Sequence, residues 1–191
     1  MQRRIFIAIN LSENAKKELQ KYQREWVDLP VRLTKKDNLH FTILFIGYVN
    51  DERMVEVCRN IREIAKKHQP FELNFNKICF GPPGKSPRLI WLEGEKSEEL
   101  VSLKRDIEKI MIVKENDEHV LADIERELKI FIPHITLARI RQIEWKKIAA
   151  SPLINKKVSI IVQVSGFEVM ESELKKGGVE YTILESTALT G

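Results

Sequence analysis

Two short runs of this sequence share one form, His-x-Thr followed by an aliphatic residue: His40-Phe41-Thr42-Ile43 and His134-Ile135-Thr136-Leu137. They lie 94 residues apart (134 − 40), close to half of the 191-residue chain, which is the mark of an internal duplication. With only four histidines present, two such runs are not expected by chance. In an extended strand residues i and i+2 leave from the same face, so each imidazole stands beside its own threonine hydroxyl. Both groups can bind a phosphate oxygen. Two such strands side by side, related by a pseudo-two-fold, would set two imidazoles on opposite sides of one phosphate. An imidazole of ordinary pKa, about 6.5, is neutral or protonated near neutrality, so the pair could supply a general base and a general acid with no metal. A hydrogen-bonded structural histidine is the plainer account of either run alone; the doubling argues for a site. Catalytic zinc would want three protein ligands. The one further candidate, His119, follows the polar run Glu115-Asn116-Asp117-Glu118 without ligand spacing and reads as a surface residue.

The elements that must position these residues are legible as apolar patterns. Ile5 to Ile9 is a continuous apolar run, the pattern of a strand buried on both faces. Ser12 is placed to cap a helix carrying Ala15, Leu19, Tyr22 and Trp26 on one face. Asn38 to Val49 reads as the strand of the first motif. Asp51 is the expected cap of a helix with Met54, Cys58, Ile61 and Ala65, at whose C-terminal end His68 would be favoured as a cation by the helix dipole. Strands are expected over Phe71 to Phe80 and Arg88 to Leu92, joined by the turn-rich loop Gly81 to Pro87. Ser97 begins a helix with Leu100, Leu103, Ile107 and Ile110. Lys114 to Glu118 reads as loop, Leu128 to Ile140 as strand-like around Pro133, and Ile143 to Ala150 as a short helix. Val158 to Val164, Phe167 to Glu171 and Val179 to Leu184 read as three strands, the last two joined by a turn at Lys175-Lys176-Gly177-Gly178. Strands and helices fall in blocks with hairpin spacing rather than in βαβ alternation, so the fold class is α+β.

Composition bounds the rest. Hydrophobic residues make up 43% and charged residues 31%, a globular balance, and the net charge of +4 is a mild basic excess compatible with a polyanion. The two cysteines, Cys58 and Cys79, lie in apolar runs as expected of buried free thiols in a reducing, cytoplasmic setting. The apolar run at the N-terminus is too short for a signal-peptide core or a membrane span. Gly81-Pro82-Pro83-Gly84-Lys85-Ser86 ends like a phosphate-binding loop. However, Cys79 occupies the first glycine position and two prolines remove backbone donors, so it reads as a connection between strands.

These residues together resemble the 2H phosphoesterase superfamily, and most closely its RNA 2',3'-cyclic phosphodiesterases, also called 2'-5' RNA ligases. The likeness spans the chain. It runs through Arg4 to Ile9, His40 to Gly47, Phe80-Gly81 with Pro87 to Leu92, and Pro133 to Arg139. It ends in Glu171 to Leu174 with Gly178 and Tyr181. The stretch Glu115 to Lys129 is more acidic than the family pattern. The resemblance implies one bilobal domain over residues 1–191. Its two similar lobes would be related by a pseudo-two-fold, each an antiparallel sheet flanked by helices, with one His-x-Thr from each lobe facing a shared cleft. It implies hydrolysis of a terminal RNA 2',3'-cyclic phosphate to a 2'-phosphomonoester, or in reverse the 2'-5' joining of RNA ends such as tRNA halves. It implies no cofactor, no metal and no membrane, with a monomer expected. The roles it carries over are His40 as proton donor, His134 as proton acceptor, and Thr42 and Thr136 on the non-bridging oxygens. Arg139 would stabilise developing negative charge. Strict alternation, though, turns Arg139 to the other face from Thr136, so a bulge or strand end is needed to bring it into the cleft. Phe45 or Phe6 could stack on a base. Three rival readings stand beside this one. The first is another 2H branch acting on small cyclic nucleotides or 2'-5' oligonucleotides; the second is a non-catalytic RNA-binding module; the third is a metal-dependent hydrolase, which would lose activity in EDTA.

Overall fold

The computed structural model describes residues 2–84, 86–112, 118–148 and 152–191, with backbone alone at 112 and 118–120. Strand β1 (Arg3–Asn10) is buried from Ile5 to Ile9 on both faces, as its unbroken apolar run predicts. The Ser12 hydroxyl accepts from the Ala15 amide and opens α1 (Glu13–Gln23). Strands β2 (Val31–Leu33) and β3 (His40–Val49) follow. Helix α2 (Asp51–Ala65) is capped by Asn50, whose side chain accepts from the Arg53 amide. Asp51, the expected cap, sits instead in the first turn, where its carboxylate still complements the helix dipole. His68 does not act through that dipole alone: its Nε2 lies 3.0 Å from Asp106.

Strands β4 (Phe71–Gly81) and β5 (Leu89–Gly94) form the expected hairpin. Ser97 accepts from the Leu100 amide at the start of α3 (Glu98–Ile112). Helix α4 (Glu118–Ile130) corrects the sequence reading, since Leu128 to Ile130 belong to it and not to a strand. Ile124 and Leu128, four residues apart, are buried on one face of α4, and Glu125 pairs with Arg105 of α3. The Lys96 ammonium donates to the terminal carbonyls of Leu128 and Lys129. Pro133 then excludes helical geometry from the residue before it, and β6 (His134–Ile140) begins at the motif histidine. The loop expected at Lys114 to Glu118 lies largely outside the described residues, as does the side chain of His119. Helix α5 (Gln142–Trp145) is shorter than expected, with residues 149–151 outside the description. Strands β7 (Asn155–Val164), β8 (Gly166–Lys175) and β9 (Gly178–Ala188) complete the fold.

Among the described residues the strands form one open nine-stranded sheet in the order β7-β4-β5-β6-β3-β1-β8-β9, with β2 on β6. Every pairing is antiparallel. Counted outward from the β3–β6 seam, the two halves repeat each other, β3-β1-β8-β9 against β6-β5-β4-β7. The lobes expected from the duplicated motif are therefore halves of one sheet. They are joined by a single ladder pair, Phe41 opposite Ile135, and each motif strand lies at the seam. One face packs on the helices: Ile5, Ile7, Ile9, Phe41, Ile43, Ile135 and Leu137 share a core with Leu19 of α1, Ile61 of α2 and Leu103 of α3. On the opposite face Phe6, Ala8 and Met170 form a small cluster with Tyr181 against them. No helix among the described residues is long and apolar enough to cross a membrane.

Candidate active site

The seam pair fixes the site. Phe41 and Ile135 are the middle residues of the two motifs, and both are fully buried on the helix side. Alternation therefore turns His40, Thr42, His134 and Thr136 to the open face together. Antiparallel register sets His40 across from Thr136 and His134 across from Thr42. The two imidazoles then sit on a ladder diagonal, roughly 7–8 Å apart at their base.

Both imidazoles are anchored alike. His40 Nδ1–H donates to the Asn38 carbonyl and His134 Nδ1–H to the Ile132 carbonyl, each at 2.8 Å and each two residues upstream. A carbonyl only accepts, so Nδ1 keeps its proton and Nε2 is the atom that gains or loses one. His40 Nε2 lies 3.0 Å from the Thr42 hydroxyl. Asn38 is itself held by its side-chain amide, which donates to the Val179 carbonyl of β9. Aromatic rings wall both histidines. Phe6 and Tyr181 flank His40, each with its ring centre 5.1 Å away, and Trp91 lies 4.1 Å from His134. Trp91 donates to the Cys79 sulfur, which in turn donates to Glu93, the residue opposite His134 in the ladder. Gly81 leaves the space this tryptophan occupies, since a Cβ there would meet the indole at 2.3 Å. Cys79 is buried and Cys58 half-buried; both are free thiols, pushed up in pKa by burial.

Burial also sets the electrostatics. His40 is pulled down from 6.5 to about 4 by desolvation, helped by the positive charges of Arg139 and Lys16 and opposed by the Asn38 bond. His134 is lowered by burial, opposed by its carbonyl partner and by Glu93. Both imidazoles are therefore neutral near pH 7. That departs from the expectation of one neutral and one charged ring.

Arg139 reaches this face because of a bulge. In the β5–β6 ladder Ile90 pairs with Ala138 but Trp91 pairs with Thr136, so Leu137 is an extra residue. Leu137 and Ala138 are both buried, the alternation slips by one, and Arg139 is exposed beside Thr136. Strand β3 repeats the device: Ile7 pairs with Leu44 and Ala8 with Thr42, leaving Ile43 extra. Phe45, which like Arg139 stands five residues past its histidine, is exposed at 66%. Each bulge carbonyl is held by a buried polar side chain from a helix. Gln23 of α1 donates to Leu137 at 2.8 Å, and the Lys104 ammonium of α3 donates to Ile43 at 3.0 Å. Lys104 also pairs with Glu108 at 2.6 Å, and both side chains are buried. Phe6 is 2% exposed, covered by His40, Phe45 and Tyr181. It has no open face for a base and instead packs beneath His40. Of the residues that sequence reasoning missed, Gln23 and Lys104 carry no signal, since a glutamine or lysine in a helix reads as solvated. Trp91 and Tyr181 were part of the family likeness without a role.

Comparison with known proteins agrees with this fold. The LigT-like phosphoesterase family model matches residues 9–91. An RNA 2',3'-cyclic phosphodiesterase of Methanocaldococcus jannaschii is 31% identical over 75% of each chain, and one of Aquifex aeolicus 26% identical over 98% of each. The crystal structure of TT0787 of Thermus thermophilus superposes with a TM-score of 0.82 at 26% identity, covering 98% of each chain. The chain belongs to the RNA 2',3'-cyclic phosphodiesterase family, the LigT-like 2H phosphoesterases, and is an enzyme of that class.

Proposed function

We propose that this enzyme opens RNA 2',3'-cyclic phosphate ends to 2'-phosphomonoesters by acid–base catalysis between His40 and His134. The observation that carries the reading is the shared anchoring of two imidazoles on one face of adjacent strands, each with Nδ1 on a carbonyl and Nε2 left as the atom that exchanges a proton. Water attacks phosphorus as His134 Nε2 takes its proton. The bond from phosphorus to the 3' oxygen breaks, and His40 Nε2–H protonates that oxygen. The product is a 2'-phosphate beside a free 3'-hydroxyl. Thr42 and Thr136 donate to the non-bridging oxygens, and the Arg139 guanidinium neutralises charge that accumulates there. The depressed pKa of His40 makes its imidazolium a strong acid once the substrate anion has supplied the missing counter-charge. A 5'-hydroxyl in place of water gives the 2'-5' joining of RNA ends, tRNA halves included, by the same steps. The enzyme acts as a cytoplasmic monomer on this reading. Phe45, rather than the buried Phe6, offers a ring to a base.

The test is incubation of an RNA ending in a 2',3'-cyclic phosphate, with and without excess EDTA, followed by analysis of the phosphate position. The expected product is the 2'-phosphate, at the same rate in both arms. A 3'-phosphate, or loss of turnover with EDTA, refutes the mechanism.

A pH profile adds a second check. The productive free enzyme has one imidazole protonated and one neutral, so kcat/KM peaks between their two pKa values. Both are lowered, His40 to about 4 and His134 below 6.5. The optimum of kcat/KM is therefore expected on the acid side of 6.5. Activity falls at higher pH as the acid is lost and at lower pH as the base is protonated. A profile peaking above pH 7 contradicts the assignment.

A further inference from the structure

Beyond Arg139 the open face continues into a cavity of about 640 Å³, lined by four arginines, Arg32, Arg88, Arg139 and Arg141, and by no carboxylate. Arg32 stands directly across from Arg139 in the β2–β6 ladder. Arg141 lies two residues past Arg139, on the far side of buried Ile140, which along a strand is about 7 Å. Arg88 is fixed at the entrance to β5 by backbone bonds, donating to Gly81 and accepting from Ile140. The Arg141 amide donates to Pro30 and the Gln142 side chain to Pro87, so the rim is tied from three segments. All four guanidinium groups are exposed, and none makes an ion pair among the described residues. Arg3, Arg53, Arg62, Arg105 and Arg126 each pair with a carboxylate. Four like charges gathered on ordered backbone around one hollow repel one another, and an anion of matching geometry relieves that repulsion. A guanidinium presents a planar fork that grips a phosphate through two bonds.

We propose that Arg32, Arg88 and Arg141 form a second phosphate subsite, which takes the backbone phosphodiester preceding the cyclic end of an RNA strand. This rests on the reading that the substrate is an RNA end. The subsite lies beyond Arg139 as seen from the reacting centre, so the strand leaves the cleft over β2 and the end of β6. It reads charge and not base identity. The enzyme therefore prefers chain length without preferring sequence, and a mononucleotide leaves the subsite unused.

The experiment measures kcat/KM on 2',3'-cyclic AMP and on a short oligoribonucleotide ending in a 2',3'-cyclic phosphate, over a range of salt concentrations. It uses the wild type, Arg32→Gln, Arg88→Gln, Arg141→Gln and the Arg32→Gln/Arg141→Gln pair. The wild type is expected to favour the oligonucleotide by about tenfold or more, and that ratio to fall by about tenfold in the double variant. The logarithmic salt dependence for the oligonucleotide should flatten by about 0.7 for each arginine removed. Arg32→Lys, which keeps the charge without the fork, should recover part of the ratio and the whole of the salt slope. A ratio near one in the wild type, or a ratio and slope unchanged in the double variant, overturns the subsite while leaving the catalytic reading in place. Failure of the wild type on both substrates overturns the catalytic reading itself.

Discussion

His40→Ala or His134→Ala lowers kcat on an RNA with a 2',3'-cyclic phosphate end by about 10²–10⁴-fold, the size of a lost general acid or base. The double variant is expected to be little worse than the poorer single one, because two groups that act in one proton relay lose their effect together. Neither change empties the core, since both side chains stand on the open face and are only half-buried. Thermal unfolding should therefore stay close to wild type, and the loss should appear in kcat. The two variants also differ in pH behaviour. With either imidazole gone, one limb of the kcat/KM profile disappears while the other remains. Steady-state rates across pH check both points. If both single variants keep full activity, the paired-imidazole mechanism is wrong.

Lys104→Met destabilises the fold by about 3–5 kcal/mol, the cost of leaving a buried charge without its partner. Glu108 is fully buried, and its pKa is already raised by desolvation with Lys104 alone among its neighbours holding it down. Among the described residues one of its oxygens, Oε2, has no hydrogen-bond partner. Removing the ammonium also frees the Ile43 carbonyl, and with it the bulge that aims Phe45. Adding Glu108→Leu should recover most of the lost stability by removing the stranded carboxylate, yet leave the bulge unsupported. Denaturant unfolding of the two singles and the double gives the coupling energy. Kinetics on the double then show whether substrate affinity stays impaired after stability returns. A coupling energy near zero would mean that the pair contributes nothing jointly.

Much of this was legible in the residues. The duplicated His-x-Thr runs predicted two strands sharing a face, and the seam at Phe41 and Ile135 places them so. Ser12 and Ser97 cap the helices they precede because a hydroxyl at that position has an amide within reach. The strand-like reading of Leu128 to Ile140 held from His134 onward and failed over Leu128 to Ile130 for a local reason. Apolar residues close together around a proline look extended, while the helical spacing of Ile124 and Leu128 shows only when α3 is there to receive it. The bulges could not be read at all. An extra residue in a ladder is a property of two strands together, and neither sequence marks Leu137 or Ile43 as the one that is skipped. The facing of Arg139 therefore needed the structure. Gln23 and Lys104 were hidden for the same cause, since their value lies in carbonyls that only an irregular strand leaves open.

The twin bulges have a consequence for which way a strand of RNA can lie. A matched couple of imidazoles is close to symmetric and by itself scarcely distinguishes the 2' from the 3' oxygen. Five residues past each histidine the halves part company, with an aromatic ring at Phe45 on one flank and a guanidinium at Arg139 on the other. A nucleotide is lopsided in the same sense, flat base to one side and charged linkage to the other. On the proposed reading this divergence is one source of polarity, beside the arginine-lined cavity that only the Arg139 flank carries, and exchanging Phe45 and Arg139 would measure its share.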